Sequence, residues 1–168
     1  LPVIVPHDGE RRLALMPWGL LPSWAKDRAK PLINARAEGI ETRPSFRAAL
    51  RRGRCLVPAS HFFEWATTPS GKVPHCIRLR DEPLFAFAIV TTAPNALMAG
   101  IHDRMPVILP RPAEAACLGD APADALLALL RPYPAAAMEA YAVGPLVNRP
   151  ANDSPAVLRP AALGVHHP

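Results

Sequence analysis

The first third of the chain alternates apolar and polar positions in short stretches. "PVIV" (residues 2–5) and "RLALM" (12–16) have the period-two pattern of half-buried strands, and the polar "PHDGE" between them reads as a turn. "PWGLLPSWAKD" follows. Its prolines at 17 and 22 break any helix, so the pattern predicts an ordered aromatic loop. "PLINARAEGI" reads as the end of a strand or a loop. "SFRAALRRG" has helical spacing: Phe46, Ala49 and Leu50 share a face and arginines fill the other. Ser45 is placed to cap its start and Gly53 to stop it.

"RCLVPASHFFEWA" reads as strand, proline-marked bend, strand, and "TTPSGKV" as a hairpin turn. "HCIRLR" alternates like a strand with one wet face. "PLFAFAIVTTA" is a buried strand, or two run together. "APNALMAGIH" predicts a short helix and "MPVILP" a short strand. The pattern then changes. "PAEAACLG" and "APADALLALLRPYP" are Ala/Leu-rich helices with acidic residues in the first turn, "MEAYAVGPLVN" carries a strand, and the tail is proline-rich. The fold class expected is α+β, with a mostly antiparallel, barrel-like β-sheet core and short peripheral helices.

Composition narrows this picture. A length of 168 residues fits a single domain spanning 1–168, and 50% hydrophobic residues permit a sizeable core. No apolar run approaches the ~20 residues of a membrane span, and the start has no basic stretch followed by an apolar one, so neither a membrane partner nor a signal peptide is expected. Cys55, Cys76 and Cys117 lack metal-ligand spacing; they read as reduced thiols in a cytoplasmic protein without metal or other cofactor. The net charge of +5 is unevenly spread. Arg43, Arg47, Arg51, Arg52 and Arg54 crowd together, with Arg28, Lys30 and Arg36 just before, which points to a polyanionic partner.

Four segments carry polar residues where burial is expected: "NARAE" with Asn34, Arg36 and Glu38; "FFEW" with Glu64; "TTAPN" with Thr91, Thr92 and Asn95; and "GIHDRMPVIL" with His102, Asp103 and Arg104. A carboxylate among aromatics is costly to bury unless paired or protonated, and such surroundings suit Glu64 to proton transfer near neutral pH. Strand alternation could instead turn it away from Phe63 and Trp65. His102 has the range of a general acid or base, or is a structural histidine. Asp103 braces the loop or is a plain turn residue. Arg36 and Arg104 could each fork onto a phosphate, or pair with Glu38, Asp27 or Asp103. Trp24 is the better candidate for base stacking, and Trp18 for packing inward. There is no glycine-rich phosphate loop, no Gly-x-Ser-x-Gly and no His-Glu-x-x-His. The residues alone give a basic surface beside a Glu/His/Asn acid–base site, and no nucleophile.

In order, "PWGLLPSWAKD", "LINARAEGIETRPSFRAALRRGRCLVPASHFFEW", "VTTAPNALMAGIHDRMPVIL" and "VNRPANDSP" resemble the SOS response-associated peptidase (SRAP) family. The resemblance implies a bacterial, nucleoid-associated sensor of abasic sites in single-stranded DNA, with no obligate protein partner. In this family the cysteine after the initiator Met becomes the amino terminus once that Met is removed autocatalytically. Its amine and thiol then close a thiazolidine on the abasic sugar. The resemblance carries the catalytic Glu onto Glu64, the proton-donating His onto His102 and the sugar-positioning Asn onto Asn34. It carries the phosphate-binding arginines onto Arg36 and Arg104, and places Trp24 in the loop that approaches the bases. Family members begin Met-Cys-Gly-Arg, a few dozen residues before the strand that opens this numbering, and have a longer loop between the "FAFA" and "VTTA" strands. A peptidase acting on other proteins, or a single-strand-binding module without its nucleophile, are the alternatives.

Overall fold

The computed structural model describes residues 1–22, 24–25 and 31–161, with the side chains of 87–89 left aside. The chain opens with the hairpin of β1 (Pro2–His7) and β2 (Glu10–Leu15). Its turn is Asp8-Gly9, both at positive φ (50° and 79°), the two-residue geometry that follows the twist of the strands.

The central sheet is built on β7 (Phe85–Thr92). One edge of β7 carries β8 (Met105–Leu109). The other carries two short strands end to end: β4 (Val57–Ala59), antiparallel, and β3 (Ala35–Arg36), parallel. "PLFAFAIVTTA" is thus one strand, and its register against β8 shifts between Phe87 and Thr91. A third sheet has the order β5 (Phe62–Thr68), β6 (Gly71–Leu79), β9 (Met138–Ala142), all antiparallel.

The central sheet is buried on both faces, which is why "MPVIL" is a continuous apolar run. Phe85 and Ile108 face Ile77, Leu79, Met98 and Met138, the core shared with the third sheet. Ala86, Val107 and Leu109 face Leu56 and Leu118 on the opposite side. The mostly antiparallel α+β architecture is as expected. The barrel is not closed: among the described residues the third sheet is not laddered to the central one, and the hairpin joins the central sheet only by the Ile4–Leu56 bridge. The sheets are held together by side-chain packing.

The helices are short. In α1 (Arg47–Arg52) the expected Ser45 cap is not formed. The Arg43 carbonyl instead accepts the amides of Phe46 and Arg47, so the backbone supplies the first turn itself. α2 (Arg111–Leu118) and α3 (Ala123–Ala128) carry Glu114 and Asp124 in their first turns. α3 stops short of Pro132, since the residue before a proline is driven out of helical geometry. "APNALMAGIH" is a single 3-10 turn, Met98–Gly100.

Candidate active site

Glu64 lies in the middle of β5. Alternation gives it the face of Phe62 and Ala66, opposite Phe63 and Trp65. That face is the inner one: Ala66 is buried and Phe62 packs edge-on against Phe85. Phe63 and Trp65 face the other way, and the Trp65 indole N–H donates to Asn148 Oδ1 at 2.8 Å. Of the three aromatics beside Glu64 in sequence, only Phe62 shares its face.

The loop leading into β8 brings His102 to this carboxylate, Nε2 to Oε2 at 3.9 Å, with the side chains 40% and 27% exposed. The imidazole is held from its other nitrogen. The Arg104 amide donates to Nδ1 at 3.0 Å, and the Arg104 carbonyl lies 3.2 Å from the same nitrogen, which leaves Nε2 facing Glu64. Asp103 Oδ1 lies 3.1 Å from the same Nδ1, ready to accept its proton when the ring is doubly protonated. Burial raises the Glu64 pKa, partly opposed by His102. The pair therefore joins a carboxylate of raised proton affinity to an imidazole N–H, the parts of an acid–base couple.

A second network adjoins it. The Arg104 guanidinium forks onto Glu38, at 2.8 and 2.9 Å, and donates to the Thr91 carbonyl on β7. The Arg104 bond and an amide hydrogen bond hold the Glu38 carboxyl down at about 2. Together with a long contact to Thr91 Oγ1 (3.4 Å), this engages four of the five Arg104 N–H donors. The fork expected for a phosphate is occupied by Glu38 in this structure, the alternative that the sequence left open.

Asn34 and Arg36 flank Ala35, which is buried at 6% exposure; its inward side chain leaves theirs exposed on the other side. Neither has a hydrogen bond or ion pair among the described residues. Trp24 is 63% exposed. Glu64 and His102 are thus brought together, Arg36 and Arg104 meet around Glu38, and no contact ties Asn34 or Trp24 to the Glu64–His102 pair.

Sequence reasoning gave Asn95 no role. Its Oδ1 accepts the Met98 amide at 2.9 Å and its Nδ2 donates to the Tyr133 carbonyl at 2.7 Å, while the Met98 carbonyl accepts the His102 amide at 2.9 Å. Asn95 thereby fixes the 3-10 turn that delivers His102. A polar residue closing the apolar "FAFAIVTTAPN" run was the available signal. Among the described residues no group of three His, Cys, Asp or Glu is placed to hold a metal ion.

The family model described as SOS response associated peptidase (SRAP) matches residues 1–89 and 81–150. The chain is 43% identical to the abasic site processing protein YoqW of Bacillus subtilis, over 92% of this chain and 80% of that one. It is 28% identical to the abasic site processing protein HMCES of Gallus gallus, over 94% of this chain and 60% of that one. A crystal structure of a protein from Bacteroides thetaiotaomicron superposes with a TM-score of 0.85 at 27% identity, covering 95% of this chain and 80% of the other. The chain belongs to the SRAP family.

Proposed function

We propose that this protein captures abasic sites in single-stranded DNA as a covalent adduct. The observation that carries the reading is the Glu64–His102 pair at 3.9 Å, an acid–base couple left part-exposed. The names of the relatives, abasic site processing proteins, support the substrate.

An abasic sugar is a closed hemiacetal that must open to an aldehyde before an amine can attack. As the ring C–O bond breaks, the anomeric hydroxyl gives its proton to Glu64, while His102, doubly protonated with Nδ1–H held by Asp103, gives its Nε2 proton to the departing ring oxygen. Once Glu64 has passed that proton to solvent, it takes one from the terminal ammonium and so frees the amine that attacks. Attack of the amine on the aldehyde carbon and loss of water give the Schiff base. Addition of a thiol to its carbon, with the thiol proton passing to nitrogen, closes a thiazolidine. The nucleophile would be an amino-terminal cysteine, as in the family, and the same Glu64 would serve removal of the initiator Met before it. Cys55, Cys76 and Cys117 are poor substitutes. Cys76 is 1% exposed, and burial pushes all three thiols up, away from the reactive thiolate. Arg36, whose side chain is exposed, would hold a flanking phosphate, while Arg104 stays on Glu38, and Trp24 would stack on a base.

The test is incubation of the full-length protein, carrying its own amino-terminal cysteine, with single-stranded DNA bearing one abasic site. A heat-stable adduct on a denaturing gel, lost when that cysteine is changed to Ala, is expected. Saturating DNA binding with no adduct refutes the reading.

A further inference from the structure

The five clustered arginines are not used alike. Arg54 is spent on structure. Its guanidinium donates to the carbonyls of Leu50 and Arg51 at the end of α1, to Cys117 at the end of α2 and to Gly119 beyond it. It locks the two helix ends together. Arg43, Arg47, Arg51 and Arg52 are exposed, and none has a hydrogen bond or ion pair from its side chain among the described residues.

Three of them form a line. Arg43 lies in the turn before α1, where its carbonyl accepts the Arg47 amide, and Arg51 follows one helical turn after Arg47, so the three form a row leading into the helix. At about one turn per step the row is about 12 Å long. One strand of a duplex presents about three phosphates over that length, at ~3.4 Å each. The opposite face, with Phe46, Ala49 and Leu50, borders an apolar, part-open cavity of about 250 Å³. Like charges at four-residue spacing repel and destabilise a helix. The helix dipole favours Arg51 and Arg52 at the carboxyl end, but disfavours Arg43 and Arg47 at the amino end. Glu41 borders a separate, smaller recess with Arg47 and Arg51 and, among the described residues, pairs with neither.

We propose that the Arg43–Arg47–Arg51 face of α1 holds the phosphate backbone of the captured DNA beyond the abasic position. The proposal rests on the reading above for its ligand. The chain runs from Arg36 to Arg43 through tight turns at Ala37–Ile40 and Gly39–Thr42, so a strand held at Arg36 meets this face within a few nucleotides.

The experiment uses the full-length protein and oligonucleotides without a lesion, so it is independent of adduct chemistry. The triple variant Arg43→Gln/Arg47→Gln/Arg51→Gln is expected to lower the slope of log K against log salt by about 2, at ~0.7 per phosphate contact. Binding of a long oligonucleotide weakens by roughly tenfold to a hundredfold at 0.1 M salt. A short one that covers only the Arg36 edge binds as before. A charge-matched control, Arg12→Gln/Arg131→Gln/Arg159→Gln, should leave the slope near wild type, and Lys at 43, 47 and 51 should restore it. Parallel titrations with a single strand and with a single strand ending in a duplex show which arm lies on α1. An unchanged slope on both, or an equal fall in the control, overturns the proposal. If wild type forms no adduct, the abasic-site reading fails while the slope result still decides this one.

Discussion

Two glutamates a short distance apart in this molecule are treated in opposite ways. Glu64, on the inner face of β5, meets the His102 imidazole at 3.9 Å, and burial pushes its pKa up. Glu38, two residues beyond β3, is held by the Arg104 fork, which keeps its carboxyl down at about 2. The side chain is the same. The partner decides whether it becomes a proton acceptor of raised affinity or a permanently charged strut. An exposed carboxylate gripped by a guanidinium cannot exchange protons near neutral pH; a half-buried one facing a histidine can. The difference separates a reacting group from the frame that carries it.

Glu64→Gln breaks the comparison most severely. It keeps the shape and removes the base, so adduct formation at saturating DNA should slow by about 10²–10⁴-fold. Affinity for lesion-free single strands should stay within about twofold, since a carboxylate adds no attraction for phosphate. Asn95→Ala reaches the same chemistry through the frame. It leaves the Met98 amide without its acceptor, and a loss of about 1–2 kcal/mol is expected, or roughly 3–6 °C in Tm. Asn95→Asp, which keeps the acceptor, should lose less.

The smallest effects sharpen the contrast by sign. Glu38 is depressed in the folded state. Its contribution to stability is present above about 4.5, its unfolded value, and is lost as pH falls toward 2. Glu38→Gln should therefore lower Tm at pH 7 by about 1–2 °C, with the difference vanishing at low pH. Glu64 is raised in the folded state, so its ionisation on going above pH 4.5 costs stability. Glu64→Gln should raise Tm slightly at pH 7 and leave it unchanged at pH 4. Thermal melts of both variants at the two pH values give opposite signs if the comparison holds.

Much of the fold was legible because its strands are short, alternating and punctuated. The hairpin at Asp8-Gly9, the 68–71 turn and the apolar run of β8 follow from local pattern alone. The open arrangement of the sheets did not, because closure depends on which edges meet across the chain. The site's motifs were visible as polar residues in apolar settings, and strand alternation settled which aromatics surround Glu64. The Arg104–Glu38 fork joins residues 66 positions apart, and the sequence offered Glu38 only as one of three partners. The role of Asn95 was hidden because its partners, the Met98 amide and the Tyr133 carbonyl, are backbone atoms that no residue type announces.

The central claim, that Glu64 is the base of the reaction, is tested most directly by the pH dependence of adduct formation. With full-length protein at saturating abasic single-stranded DNA, the wild-type rate should rise with pH through the raised pKa of Glu64, above the ordinary carboxylate value of 4.5. In Glu64→Gln that limb should disappear, leaving a slow rate without the carboxylate's titration. A Glu64→Gln protein that keeps the wild-type rate and the same rising limb contradicts the account.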